Sequence, residues 1–127
     1  MFDNLPETVL RKMAGSLADT SFDAITVTRA TSDEGSKILH VNEAFTELTG
    51  YAASDVIGTT PGVLQGADTD PDTLKRLEDT VARGETFHGK ATNYRKDGTP
   101  FTMEWKVTPV GSDGTADYYL AVQREAG

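Results

Sequence analysis

Apolar and polar positions change rhythm several times along this chain, and each rhythm marks an element. Pro6 suits the first turn of a helix, where its missing N–H is not needed. Val9, Leu10, Met13 and Leu17 then recur on one face through Asp19. Such an amphipathic helix needs a surface to cover, either its own domain's sheet or a partner subunit. Ala24 to Ala30 alternates apolar and polar side chains, is rich in β-branched residues, and predicts a strand. A turn over Thr31 to Ser36 leads to a short second strand, Ile38 to Val41, so the two form a hairpin. Asn42 is a suitable N-cap for a helix from Glu43 to Thr49, with Phe45 and Leu48 inward and Gly50 at its end. A helical turn from Ser54 to Ile57 follows, then a tight turn at Thr60-Pro61-Gly62. Asp70 and Pro71 open a longer helix whose buried stripe is Leu74, Leu77 and Val81 and whose end is Gly84. Three strands complete the pattern: Thr86 to Arg95, Thr99 to Pro109, and Ala116 to Arg124. The links Lys96-Asp97-Gly98 and Gly111 to Thr115 are turn-rich, which favours antiparallel neighbours.

Two strands, small helices, then three meandering strands predict an α+β fold: one five-stranded antiparallel sheet with helices on one face. The boundaries that follow are an N-terminal helical extension at 1–20 and a single domain at 21–127. Strand alternation sorts the side chains further. If Asn93 faces a cavity, so do Phe87, Gly89 and Ala91. Phe101, Met103, Trp105 and Val107 share one face of the next strand; Thr102, Glu104, Lys106 and Thr108 share the other. Gly89 and Ala91 open space inside, and Met103 and Trp105 fill it.

Composition narrows the chemistry. A length of 127 residues suits one domain with a sizeable core and no need for staples. Twenty acids against twelve bases give a net charge of −8, which argues against nucleic acid and anionic membrane as partners. The chain has no cysteine, which excludes dithiol redox chemistry and thiolate metal sites. No stretch approaches the ~20 apolar residues that span a bilayer. The first 17 residues mix acids with apolar residues and are no signal peptide, so the expected location is the cytoplasm. His40 and His88 lie on strands without acids at ligand spacing and read as surface residues. Asp68, Asp70 and Asp72 alternate like a calcium loop but lack its glycine, and helix capping explains them better. No Ser-His-Asp order, phosphate loop or catalytic carboxylate pair stands out, and no enzyme activity is expected.

Several segments together carry a resemblance. They are V-N-E-A-F-T-E-L-T-G-Y from Val41 to Tyr51, G-T-T-P-G-V-L-Q-G from Gly58 to Gly66, N-Y-R-K-D-G from Asn93 to Gly98, and Val122-Gln123. In order and spacing they resemble the PAS sensor family over Ser21 to Glu125, in particular its flavin-binding LOV branch. The resemblance implies strand order 2-1-5-4-3 and a sensory function with a flavin (FMN, FAD or riboflavin) as cofactor. It implies that Gln65, Asn93 and Gln123 meet the polar edge of the ring, where amides both donate and accept. Val27, Ile57 and Leu64 would wall its apolar part, and Met103 stands where a second polar-edge asparagine is expected. Trp105, beside the ring, would be placed to donate an electron. The LOV branch writes its motif G-x-N-C-R-F-L-Q-G, with a cysteine that attacks the photoexcited flavin. Here Thr60, Pro61 and Gly62 replace the asparagine, cysteine and arginine, and Glu78 aligns with a second phosphate-gripping arginine. A thiol adduct is therefore excluded, and both phosphate clamps are missing. Haem, as in some PAS sensors, would need a histidine between Asp72 and Arg83, and none occurs. Two other functions stay open: a ligand-free module that dimerises through the N-terminal helix and the outer sheet face, and a sensor of another small organic ligand.

Overall fold

Strand alternation and helix caps account for most of the architecture. The structure, a computed structural model, describes residues 23–30, 36–112 and 115–126. The expected N-terminal helix and the extension at 1–20 lie outside the described residues. The described chain runs β1 (Ala24–Arg29), β2 (Ile38–Val41), α1 (Glu43–Thr49), α2 (Ala53–Val56), a 3-10 turn (Pro61–Leu64), α3 (Pro71–Ala82), β3 (Phe87–Tyr94), β4 (Pro100–Ser112) and β5 (Thr115–Glu125). The five strands form one sheet in the order β2-β1-β5-β4-β3, antiparallel throughout, as the resemblance implies.

Register divides the sheet into two faces. Ala24 pairs with Gln123, Gln123 with Trp105, and Trp105 with Gly89, so these residues share the face that carries the helices. Phe87, Ala91, Asn93, Phe101, Met103 and Val107 join them, as alternation predicts. Thr102, Glu104, Lys106 and Thr108 lie on the opposite face. Strand β4 runs past the expected Pro109 to Ser112, because Gly111 and Ser112 still pair with Ala116 and Thr115 beyond a bulge after Val110.

Local signals fix the helices. Asn42 caps α1 by accepting the Phe45 N–H at 3.0 Å. Its side chain also accepts the Ile25 N–H at 2.9 Å and donates to the Asp23 carbonyl at 2.8 Å, so one residue pins α1 to β1. Gly50 ends α1 at φ 79, a left-handed conformation that a side chain disfavours. Asp70 caps α3 through the Asp72 N–H at 2.9 Å. The expected buried stripe on α3 is only half buried: Leu74, Leu77 and Val81 keep partial exposure, and Thr80 is the buried residue of that helix. The helix does not press flat on the sheet, because Leu74 and Leu77 border an internal space. Leu48 on α1 is likewise half buried, at the junction of the two inner clusters.

The core has three parts. One lies around Phe45, Val56 and Leu64 under α1 and α2. A second gathers Phe87, Met103 and Trp105, with the Phe87 and Trp105 rings tilted at 52° and 5.2 Å between centroids. The third sits on the opposite face and joins Ile25, Val27, Val110, Leu120 and Val122, each no more than 3% exposed. Burying each such side chain contributes about 1.5–3 kcal/mol.

Candidate functional site

Between α3, the 3-10 turn and the inner sheet face lies a cavity of about 110 Å³. Of the residues the sequence proposes for a cofactor, Leu64, Gln65, Asn93, Met103, Trp105 and Gln123 all border it. Met103 and Trp105 are each 5% exposed, so they narrow the space without closing it. Thr26, Thr28, Ile38 and Phe45 supply the end beneath β1, β2 and α1. Pro61 and Gln65 border the cavity and are themselves exposed, which marks its mouth. Gly89 opens no space of its own: a Cβ there would sit 2.5 Å from the Phe87 ring and 2.6 Å from the Arg76 guanidinium.

Two of the expected residues lie elsewhere. Val27 is fully buried, but strand alternation turns it to the opposite face, against Leu120 and Val122; its neighbours Thr26 and Thr28 reach the cavity instead. Ile57 follows the last residue of α2 and is 47% exposed, the most exposed large apolar side chain among the described residues. The chain turns there, with the Ile57 N–H bonded to the Ala53 carbonyl, and the side chain points away from the cavity.

The polar atoms at the deep end are under-satisfied. Gln123, 4% exposed, donates through Nε2 to the Thr26 hydroxyl at 2.8 Å, while its Oε1 is buried with no protein partner. Either orientation of the amide leaves one end open, since Thr26 offers a single hydroxyl. Such a group costs about 1–3 kcal/mol while it stays unpaired. Asn93, also 4% exposed, reaches only the Ala91 carbonyl, at 3.5 Å, the outer limit of a hydrogen bond. Two buried amides therefore face one cavity with hydrogen-bonding capacity to spare. Among the described residues, none that borders the cavity is charged.

The outer face carries a cluster that the sequence did not reveal. Glu104, 7% exposed, accepts Arg124 through Oε1, at 2.9 Å from Nε and 2.7 Å from Nη2. Its Oε2 lies 2.6 Å from His88 Nε2. Arg124 first, and His88 second, hold the Glu104 carboxyl below the usual glutamate range against the opposing effect of burial. No spacing within one element signals this cluster: its members come from three strands and meet through the pairings His88–Lys106 and Glu104–Arg124. His88 is an exposed residue, as its sequence context suggests, and strand register brings it an acid partner that spacing along the chain does not show. Lys96 and the Ala52 N–H likewise lower the Asp55 carboxyl, which ties the β3–β4 turn to α2. Among the described residues, Asp68, Asp70 and Asp72 form no metal-ligand cluster. No described helix is long and apolar enough to cross a membrane.

Comparison with known proteins agrees with this geometry. The family model for the PAS domain matches residues 23–125. Blue-light-activated histidine kinase 1 of Erythrobacter litoralis is 41% identical over 87 residues, which is 68% of this chain and 24% of that protein. The blue-light photoreceptor of Listeria monocytogenes is 33% identical over 69% of this chain and 35% of its own length. The chain thus spans about a quarter to a third of these two curated relatives. Among solved structures, the LOV domain of an Erythrobacter litoralis blue-light-activated histidine kinase superposes with a TM-score of 0.76 at 31% identity, covering 84% of this chain and 96% of that one.

Proposed function

The chain belongs to the PAS domain family, in its light-oxygen-voltage type, and from that premise we propose that its cavity binds the ring of a flavin and senses blue light or redox state without a thiol. The observation that carries this is the pair of buried amides, Gln123 and Asn93, which face the cavity with unused hydrogen-bonding capacity. A heterocycle edged with carbonyls and N–H groups satisfies such amides in either orientation. The volume is the tight dimension: about 110 Å³ is smaller than the ~300 Å³ at which most small-molecule sites begin. Half-buried Leu74 and Leu77 on α3 form the wall that has room to give.

A bound flavin supplies blue-light absorption and reversible redox chemistry. Gln123 and Asn93 hold the polar edge, Leu64 and Phe45 cover the apolar part, and Gln65 stands at the mouth. Pro61 borders the cavity where the LOV branch carries its cysteine, so the response runs through hydrogen bonds. Gln123 is the residue fitted to carry it. It sits on β5, bonds Thr26 on β1, and has an amide that swaps donor for acceptor by turning over. A change of proton at the ligand edge is then passed to the centre of the sheet. Trp105, paired with Gln123 across β4 and β5, lies beside the same site and is placed to supply an electron.

We keep this chain on the sensory side, with catalysis left to an output partner and the cytoplasm as its working location. Dimerisation through the N-terminal helix and the outer sheet face belongs to the same proposal. The decisive experiment is the visible absorption spectrum of the purified protein, alone and after addition of FMN, FAD and riboflavin separately. A structured flavin band that survives desalting supports the proposal. A colourless protein under every condition overturns it in favour of an interaction module or an uncoloured ligand.

A further inference from the structure

We propose that the ligand of this cavity is electrically neutral, a phosphate-free isoalloxazine of the riboflavin or lumiflavin type, and that the site discriminates against flavin mononucleotide. The inference rests on the flavin reading above and specifies which form of the ring the site selects.

Three observations converge. First, among the described residues, every side chain that borders the cavity is uncharged, and its polar groups are amides, hydroxyls and the Trp105 indole. Such a lining satisfies carbonyls and N–H groups but offers a phosphate no charge-assisted bond. Second, the chain that continues from Gln65 at the mouth is acidic. From Gly66 to Asp79, the stretch that follows Gln65 and carries Leu74 and Leu77, there are five acids (Asp68, Asp70, Asp72, Glu78 and Asp79) and two bases (Lys75 and Arg76). Glu78 is exposed and adjoins Leu77, which borders the cavity. Third, both bases of that stretch are engaged. Lys75 pairs with Asp79 at 3.4 Å, one turn along the helix. Arg76 lies 4.6 Å over the Phe87 ring and donates to the His88 carbonyl at 3.2 Å. Swinging Arg76 to the mouth would uncover the Phe87 face and break both contacts.

A phosphate dianion carried on a ring inside this cavity would find no positive charge in the lining and a net-acidic stretch of chain beyond Gln65. A ribityl chain has only hydroxyls, and a methyl group has neither charge nor polarity, so neither meets that penalty. The discrimination is electrostatic and close to the surface, and salt therefore weakens it.

The test titrates the full chain with lumiflavin, riboflavin and FMN, reading flavin fluorescence at low and high salt. The expected result is that lumiflavin and riboflavin bind roughly tenfold or more tightly than FMN, with the gap narrowing as salt rises. FMN binding as tightly as riboflavin, or more tightly, overturns the proposal and leaves the flavin reading standing. Binding of none of the three removes the flavin reading and this proposal with it, so the two failures are told apart. A second variant checks the cause. Glu78→Arg, an exposed substitution, should improve FMN affinity by roughly tenfold and leave riboflavin unchanged. Equal gains for both ligands, or none for FMN, would sink the electrostatic explanation.

Discussion

Replacing Gln123 and Thr26 together by Leu and Val probes the deep end of the cavity most sharply. In the native site the buried Gln123 Oε1 has no protein partner, and leaving it unpaired costs about 1–3 kcal/mol, while the bond from Nε2 to Thr26 returns about 0.5–1.5 kcal/mol. The paired substitution removes both terms and replaces two polar groups by apolar ones of similar shape. The ligand-free double variant should therefore be more stable than the native protein by about 1 kcal/mol. For a domain of this size that is a rise of roughly 2–8 °C in Tm. Urea titration read by Trp105 fluorescence measures it directly, and an unchanged slope would show that the unfolded state is not involved. The same variant should lose flavin affinity, since it lacks the amide that meets the ring edge. Stability gained and binding lost is the signature of a group held for function at the expense of the fold. A double variant less stable than the native protein by more than about 1 kcal/mol would refute the reasoning. Gln123 would then be a satisfied structural amide, and the open oxygen would carry no functional meaning.

Four further outcomes are expected. Pro61→Cys, in protein loaded with flavin, should give reversible bleaching of the blue absorption band under blue light, because residue 61 borders the cavity; no bleaching would count against a ring seated beside the 3-10 turn. Gly66→Ala should destabilise by about 1–3 kcal/mol in thermal melts, since its Cβ would run into the Tyr94 ring and displace the hydroxyl that accepts the Asp68 N–H; an unchanged Tm would show that Tyr94 moves freely. Glu104→Gln should flatten the acid limb of stability. The folded carboxyl titrates below the ordinary 4.5, so its contribution is present above that value and is lost as pH falls through the folded value. Native and variant proteins should then differ at neutral pH and converge in strong acid, and parallel acid-unfolding curves would exclude the cluster from stability. Met13→Glu should convert a dimer to monomers in light scattering if the N-terminal helix forms the proposed interface; unchanged mass with a lower Tm places that helix on its own domain.

Much of this fold is written in local signals. Asn42, Gly50, Asp70 and Pro71 stop or start helices for reasons confined to a few neighbouring residues, and the structure places them so. Period-two alternation sorted Asn93, Met103 and Trp105 correctly because it depends only on the pleat. It also holds the reason Val27 failed: Thr26 and Thr28, at the alternate positions, are the cavity residues of β1. With apolar residues on one face and buried threonines on the other, polarity along β1 does not say which side holds the space. Ile57 failed because a side chain at the end of a four-residue helix is aimed by the following turn, which periodicity does not describe. The contacts among His88, Glu104 and Arg124 depend on how three strands slide past one another, and no single stretch of sequence encodes that offset.

Asn42 has a mechanical consequence. Phe45, whose N–H it caps, borders the cavity, and the Asp23 carbonyl it holds sits at the entry to β1. Three bonds from one short amide thus form a rigid link with one end at the floor of the pocket and the other at residue 23. Whatever tilts α1 by pressing on Phe45 also tugs the point where the chain before β1 joins the sheet. The lever needs no long helix and no moving domain, because the cap of a two-turn helix serves as its pivot.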